Sequence, residues 1–151
     1  EVDVSRVVDI ARRGAAAGAE EIALADTIGV AVPTDIHERV EAVRAVAGDI
    51  PLRLHLHDTR HTGIANAYAA VQAGVQVLDA SIGGIGGCPF APAATGNIAT
   101  EDLLYLLDRM GIDHGWSLAG TANVVPWLED RLGSSVPGMA AKAGPFPDPT
   151  V

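Results

Sequence analysis

The sequence predicts an α/β fold, in which short parallel strands alternate with helices as they do in part of a (β/α)8 barrel. Two observations carry this prediction. Three short apolar runs, at 21–27, 52–57 and 75–82, are each followed by a segment with helical periodicity. Polar residues also follow each run, where the strand would end. Strands linked by helices pair in parallel, and three of them leave sheet edges and one face uncovered, so we expect only part of a barrel.

The predicted helices are bounded by capping residues and glycines. They begin near Ser5, Pro33, Gly63 and Thr100, with Ser5 and Thr100 as N-caps. Acidic residues in the first turn of the helix at Thr100 favour its N-terminus. A further helix is expected over 118–132, where Pro126 must kink or split it. The tail beyond Gly144 is predicted to be irregular.

The central feature of the sequence is the second strand, which carries two histidines. Side chains alternate faces along a strand, so Arg53, His55 and His57 share one face, whereas Leu52, Leu54 and Leu56 take the other. Two same-face histidines at this spacing lie about 7 Å apart at Cα, so both imidazoles can reach one divalent metal. The alternative is a pair of hydrogen-bonded polar groups without a metal.

The other strand ends add chemical groups beside these histidines. In a (β/α) barrel, polar residues at the C-terminal ends of strands are typical of an active site. Asp26 and Thr27 end the first strand, Asp58 follows the second, and Ser81 lies on the third beside Asp79. Capping of the strand end is the alternative for Asp26 and Thr27, and internal polar packing is the alternative for Ser81 and Asp79. The glycine-rich segment 83–89 is expected to be a mobile loop that approaches a ligand.

Composition limits the class of protein. The chain has 151 residues, 48% of them hydrophobic, enough for one packed domain. A net charge of −9 argues against nucleic-acid and anionic-membrane partners. With the single cysteine Cys88, no internal disulfide can form, which favours a reducing compartment such as the cytoplasm. Neither a signal-peptide pattern nor a long apolar span is present. The first residues lead almost directly into a helix pattern, so we expect a piece of a larger protein.

Several motifs, in order and spacing, resemble those of 3-hydroxy-3-methylglutaryl-CoA (HMG-CoA) lyases, which have a pyruvate carboxyltransferase-type TIM barrel. The resemblance covers residues 1–115, predicted to be the C-terminal part of the barrel domain, and 116–151 are predicted to be a C-terminal helix and tail. Gly-Gly-Cys-Pro at 86–89 separates the lyases from isopropylmalate and homocitrate synthases. The motifs are Ala-Asp-Thr-Ile-Gly-Val at 25–30, His-Leu-His-Asp-Thr at 55–59, Ala-Asn at 65–66, Gly-Ile-Gly-Gly-Cys-Pro at 84–89 and Gly-Asn-Ile-Ala-Thr-Glu-Asp at 96–102.

The resemblance implies that this chain is the last three βα units of the barrel, without its N-terminal half. It implies a divalent metal, Mg²⁺ or Mn²⁺, bound by His55, His57 and Asn97. A fourth ligand, an aspartate on the first barrel strand, is not in this sequence. Because this ligand is absent, we expect the isolated chain to be inactive. The resemblance also implies that the full-length enzyme is a homo-oligomer.

The activity implied is the retro-aldol cleavage of the thioester HMG-CoA to acetoacetate and acetyl-CoA, a step of leucine degradation. Cys88 is the candidate acid or lid residue, with His55 and Asp26 as further catalytic candidates. Thr27, Asp58, Ser81 and Arg60 are predicted to bind substrate or support the site. The alternatives are a related aldolase or lyase that acts on another 3-hydroxyacyl-CoA or a keto acid, and a truncated, non-catalytic fragment.

One departure from the family bears on the substrate. Where the lyases carry an aromatic residue or arginine followed by glycine, this chain has Arg60 and His61. The additional imidazole beside the mouth of the site is predicted to alter the choice of acyl group.

Overall fold

The computed structural model describes residues 2–88, 91–144 and 146, and it contains the predicted parallel sheet. The strands β1 (Ile22–Asp26), β2 (Leu52–Leu56) and β3 (Val77–Asp79) lie side by side in that order. The register places Ala25 opposite His55 and His55 opposite Asp79. The histidine strand is therefore the central strand. The predicted loop 83–89 contains a short strand, β4 (Gly87–Cys88), which pairs antiparallel with β5 (Ala91–Thr95) further along the chain.

The helices follow the predicted alternation, with small differences at their ends. They are α1 (Val4–Ala16), α2 (Pro33–Ala47), α3 (Gly63–Gln72), α4 (Thr100–Arg109), α5 (Leu118–Ala122), α6 (Val125–Leu132) and α7 (Ala140–Ala143). The prediction of Ser5 as N-cap is wrong, because Asp3 caps α1 and accepts a hydrogen bond from the Ser5 amide. Ala99, and not Thr100, precedes α4. Pro126 lies at the start of α6, so the helix expected over 118–132 is split, as one of the two predicted outcomes.

The hydrophobic core lies on one face of the sheet. Leu52, Leu54 and Leu56 are almost fully buried there, against Val40 and Val43 of α2 and small residues of α3. The other face carries Ala23, Ala25, Arg53, His55 and Asp79, all of them exposed or half-buried. The predicted alternation along β2 is confirmed. The face with the histidines is the one that turns inward in a closed barrel.

The strand β3 is shorter than the predicted run 75–82, because the residues that flank it make side-chain and bridge contacts and do not continue the strand pairing. The Gln76 side-chain oxygen accepts hydrogen bonds from the Leu52 amide and from Arg44. After Asp79 the chain makes a bridge from Ser81 to Ala99 and then a 3₁₀ turn at Ile82–Gly84.

The C-terminal segment packs on α4. The Asp102 carboxylate accepts hydrogen bonds from the amides of Met139 and Ala140 at the start of α7. This short helix, which was not predicted, directly precedes the tail that we expected to be irregular. Of the predicted tail, Pro145 and residues 147–149 lie outside the described residues. No helix in the described part of the chain is both long and apolar enough to cross a membrane.

Candidate metal and active site

The two histidines lie together at the C-terminal end of β2. Their ring centroids are 5.1 Å apart and the rings are inclined by 67°. His57 is only 4% exposed, whereas about a third of the His55 side chain is exposed. Burial, and then the neighbouring His55, lower the pKa of His57, and Asp26 opposes this shift. The neutral imidazole, which is the form that binds metals, is therefore favoured.

Asn97 is brought to these histidines by the segment that returns after β5. The Asp58 amide donates to the Gly96 carbonyl (3.1 Å), and the Ile98 amide donates to the Leu56 carbonyl (3.2 Å). These bonds place Asn97 directly opposite His57 in an isolated antiparallel bridge. The Asn97 side-chain Nδ2 donates to the Ile85 carbonyl (3.0 Å), which fixes the orientation of its amide.

Two buried atoms of this pair have no hydrogen-bond partner in the structure. They are Nδ1 of His57 and Oδ1 of Asn97. A buried polar atom without a partner is costly, and one ligand held between these two residues would satisfy both atoms. Imidazole nitrogen and amide oxygen are both ligands of divalent cations, so the residues fit the predicted metal.

The predicted ligand set remains incomplete within this chain. Among residues 2–88, 91–144 and 146, no three His, Cys, Asp or Glu side chains cluster as a metal site. The predicted set contributes only two such residues, since its third member is an amide. The predicted aspartate ligand lies outside this sequence.

Asp26 is engaged by the loop that follows β1. Its Oδ1 accepts a hydrogen bond from the Val30 amide (2.9 Å) and its Oδ2 from the Ala31 amide (3.1 Å). Thr27 lies exposed in the same turn. This geometry favours the strand-end capping alternative for Asp26, and its catalytic role stays a prediction.

Asp58 and Arg60 lie in the loop that follows the histidines, and their side chains have different partners. The Asp58 Oδ1 accepts a hydrogen bond from the Gly63 amide at the start of α3 (2.7 Å). Arg60 reaches across to the turn after β1 and donates to the carbonyls of Ile28 and Gly29 at 3.0 and 2.9 Å. Arg60 therefore joins the loops after β1 and β2, whereas Asp58 fixes its own loop at the start of α3. Their predicted roles toward substrate stay predictions.

Ser81 shares an acceptor with Asn97. The Ser81 hydroxyl donates to the Ile85 carbonyl, which also accepts the Asn97 amide, so Ser81 supports the segment that orients Asn97. Cys88 lies in β4, but its side chain is outside the described part of the structure, as is the whole of Pro89. The acid or lid role of Cys88 is therefore still a prediction.

An ion-pair network and a buried carboxylate in the site region were not predicted from the sequence. Arg53 forms ion pairs with Glu21 and Asp79, and Asp79 lies beside His55. The shared face of Arg53 and His55 was the signal that could have revealed this network. Glu101 is completely buried, and its Oε2 accepts a hydrogen bond from the Gly83 amide (3.0 Å). For Glu101 the sequence indicated only a favourable position in the first helical turn.

The three parallel βα units identify this chain as part of a (β/α)8 barrel, with polar groups at the ends of its strands. The chain belongs to the HMGL-like family, whose model matches residues 1–125. This match confirms the prediction at the level of the HMGL-like family, which includes the HMG-CoA lyases that the motifs resemble.

The relatives are lyases of CoA thioesters. The chain is 46% identical over 144 residues to the (R)-citramalyl-CoA lyase of Chloroflexus aurantiacus, covering 95% of this chain and 45% of the relative. It is 38% identical over 137 residues to a hydroxymethylglutaryl-CoA lyase of Bacillus subtilis, covering 91% of this chain and 46% of the relative. The chain spans about half the length of these relatives.

A solved structure extends the likeness to the whole chain. The HMG-CoA lyase of Acinetobacter baumannii, in complex with coenzyme A and 3-methylmalate, has a TM-score of 0.91 at 36% identity. The match covers 99% of this chain and 50% of that structure. The predicted fold class, part of a (β/α)8 barrel, is confirmed.

Proposed function

We propose that this chain is the C-terminal part of a divalent-metal-dependent lyase that cleaves HMG-CoA to acetoacetate and acetyl-CoA. The observation that carries the proposal is the facing pair of His57 and Asn97, each with one buried, unpartnered ligand atom, beside His55. Membership of the HMGL-like family supports the same reaction class.

His55, His57 and Asn97 would hold the metal together with an aspartate from outside this chain. Two nitrogens and two oxygens suit Mg²⁺ or Mn²⁺. When bound, the metal supplies Lewis-acid polarisation of the hydroxyl oxygen of the substrate. The lowered pKa of His57 keeps this ligand neutral, and Asn97 is held in place by the Ile85 carbonyl.

The reaction needs one proton removed and one returned. A base takes the proton of the tertiary hydroxyl, the bond between the carbinol carbon and the methylene next to the thioester breaks, and the electron pair moves to the thioester enolate. A proton delivered to the enolate carbon completes acetyl-CoA, and the carbinol carbon becomes the ketone of acetoacetate. We propose Cys88 as the source of the second proton. Arg60 supports this site by keeping the loops after β1 and β2 together, and Asp58 supports it by fixing the loop after β2 at the start of α3.

A second substrate is favoured by a specific observation, the 46% identity to a citramalyl-CoA lyase. Citramalyl-CoA has the same tertiary hydroxyl and thioester arm as HMG-CoA, but its carboxylate is one methylene closer to the reacting carbon. The same bond cleavage then gives pyruvate and acetyl-CoA. Arg60 and His61, at the mouth of the site, are the positions that we expect to favour the shorter acid.

The test uses the full-length protein that contains this chain, freed of metal and then loaded with Mn²⁺. Cleavage of HMG-CoA and of citramalyl-CoA is followed by chromatographic detection of acetyl-CoA. We expect metal-dependent cleavage of at least one thioester, and loss of both cleavage and Mn²⁺ binding in His55→Ala. His37→Ala, which removes an exposed histidine of α2, is the matched control. Undiminished metal-dependent activity in His55→Ala would overturn the proposal.

A further inference from the structure

We propose that Asp79 is a positioning residue for His55, and that Arg53 and Glu21 hold Asp79 in that role. The inference rests on the proposed function, because it concerns how one metal ligand of the site is oriented. It gives a role to three charged residues on the inward face of the sheet. These residues neither bind the metal nor take part in bond cleavage in the proposed function.

The register of the sheet brings these residues together. His55 of β2 is the direct partner of Asp79 of β3, and Arg53 lies two residues earlier on the same face of β2. Glu21 immediately precedes β1, beside Arg53 on the other side. A line of alternating charge therefore crosses all three strands and ends at His55.

The Asp79 carboxylate has a different neighbour at each oxygen. Oδ1 accepts a hydrogen bond from Nη1 of Arg53, and Oδ2 lies 3.5 Å from Nδ1 of His55. An anion beside Nδ1 favours the tautomer with the proton on that nitrogen, which leaves the Nε2 lone pair for a metal. Because Arg53 occupies Oδ1, the carboxylate is held as an orienting group.

Arg53 is itself fixed from the opposite side. Its Nε and Nη2 donate to the two carboxylate oxygens of Glu21 at 2.6 and 3.2 Å. This bidentate contact leaves Nη1 for Asp79 and restricts the guanidinium to one plane. Glu21 first and Asp79 second raise the pKa of Arg53, so its positive charge is permanent.

The exposure of the network argues for a role in orientation. Arg53, Glu21, Asp79 and His55 are each about one third exposed, and ion pairs that are this accessible contribute little to stability. Loss of a carboxylate that orients a metal-binding histidine, by contrast, typically lowers metal affinity or activity by roughly 10–100-fold.

The first measurement concerns the metal-free, full-length protein with isotope-labelled histidine. Two-dimensional nitrogen–proton NMR reports which ring nitrogen of His55 carries the proton, with His55→Ala used to assign the signal. We expect the proton on Nδ1 in the wild type, and a mixture of tautomers in Asp79→Ala. A wild-type proton on Nε2 would overturn the inference.

The second measurement is Mn²⁺ affinity by titration calorimetry. We expect a loss of roughly 10–100-fold in Asp79→Ala and a smaller loss in Asp79→Asn, whose amide oxygen can still accept from Nδ1. Arg53→Met keeps the Asp79 carboxylate but removes the contact that holds it, so it should weaken Mn²⁺ binding, though less than Asp79→Ala does. It also serves as the test if Asp79→Ala does not fold. The control for Glu21→Gln is Glu20→Gln, which changes the exposed residue next to Glu21. Glu20→Gln should retain wild-type affinity.

These measurements separate the two proposals. If His55→Ala leaves Mn²⁺ affinity unchanged, the metal site and the proposed function both fail. If His55→Ala abolishes binding while Asp79→Ala and Arg53→Met retain wild-type affinity and the wild-type tautomer, only the positioning role fails.

Discussion

His57 and Asn97 face each other across an isolated antiparallel bridge, and each presents one buried polar atom without a hydrogen-bond partner. Burial of such an atom costs about 1–3 kcal/mol, so a pair of them is not maintained for stability. Both atoms have lone pairs that a cation would satisfy. This relationship motivates the first prediction.

Asn97→Ala should weaken Mn²⁺ binding by about tenfold or more, because it removes a proposed ligand oxygen and the contact to the Ile85 carbonyl. Asn97→Asp restores an oxygen ligand and should recover part of the affinity. Calorimetric titration of the full-length protein measures both. Asn123→Ala, at the exposed C-terminal end of α5, is the control and should bind Mn²⁺ as the wild type does. Equal affinity in Asn97→Ala and Asn123→Ala would contradict the assignment.

The lowered pKa of His57 predicts how stability depends on pH. Because the pKa is lower in the folded than in the unfolded state, the unfolded state takes up the proton first as the pH falls. The free energy of unfolding should therefore decrease below a pH of about 6.5, the ordinary value for histidine, until the folded pKa is passed. Chemical denaturation of the metal-free protein across this range measures the slope. His57→Gln should have a shallower slope, and an unchanged slope would refute the attribution to His57.

Local sequence patterns were sufficient to predict the three parallel strands, most of the helices and the shared face of His55 and Arg53. They depend on periodicity within one segment, which is visible in the sequence. The partner of His57 was only implied by resemblance, because the bridge to Asn97 depends on a chain reversal after β5. Local rules cannot predict such a tertiary contact.

The acidic residues of α4 illustrate the same limit. The first-turn position of Glu101 and Asp102 is favourable for any helix, so the sequence indicated nothing more. In the structure, Glu101 holds the amide of Gly83, and Asp102 caps α7 through Met139 and Ala140. Gly83 lies 18 residues from Glu101, and Met139 lies 37 residues from Asp102, so both contacts are beyond the range of helix-capping patterns.

Gly138→Ala should destabilise the protein, because a Cβ there would lie 2.2 Å from Oε1 of the buried Glu101 and 3.0 Å from the Ala99 side chain. We expect a loss of about 1–3 kcal/mol, as in other overpacked sites. Gly14→Ala is the matched control, because its Cβ would meet nothing within 4 Å in the last turn of α1. It should raise stability by about 0.5–1 kcal/mol. Denaturant unfolding compares the two, and equal effects would contradict the packing around Glu101.

His61 supplies the last prediction, since it combines backbone strain with an exposed side chain. It has a φ of +56°, and no other non-glycine residue in the described ranges has a positive φ. This left-handed conformation costs an L-residue about 1–2 kcal/mol, whereas glycine adopts it freely. Its amide donates to the Asp58 carbonyl (3.0 Å), and its imidazole is 93% exposed and 3.4 Å from the Asp58 carboxylate. His61→Gly should therefore raise the free energy of unfolding by about 0.5–1 kcal/mol, after the entropy cost of glycine is included.

The same substitution separates strain from substrate choice. His61→Ala removes the imidazole but keeps the strained backbone, and His61→Asn tolerates the left-handed region better than alanine does. If the imidazole influences the acyl group, all three variants should shift the ratio of kcat/KM between citramalyl-CoA and HMG-CoA in the same direction. Stability should instead rise in the order alanine, asparagine, glycine. Selectivity that follows this stability order, or that stays constant in all three variants, would show that the imidazole does not select the substrate.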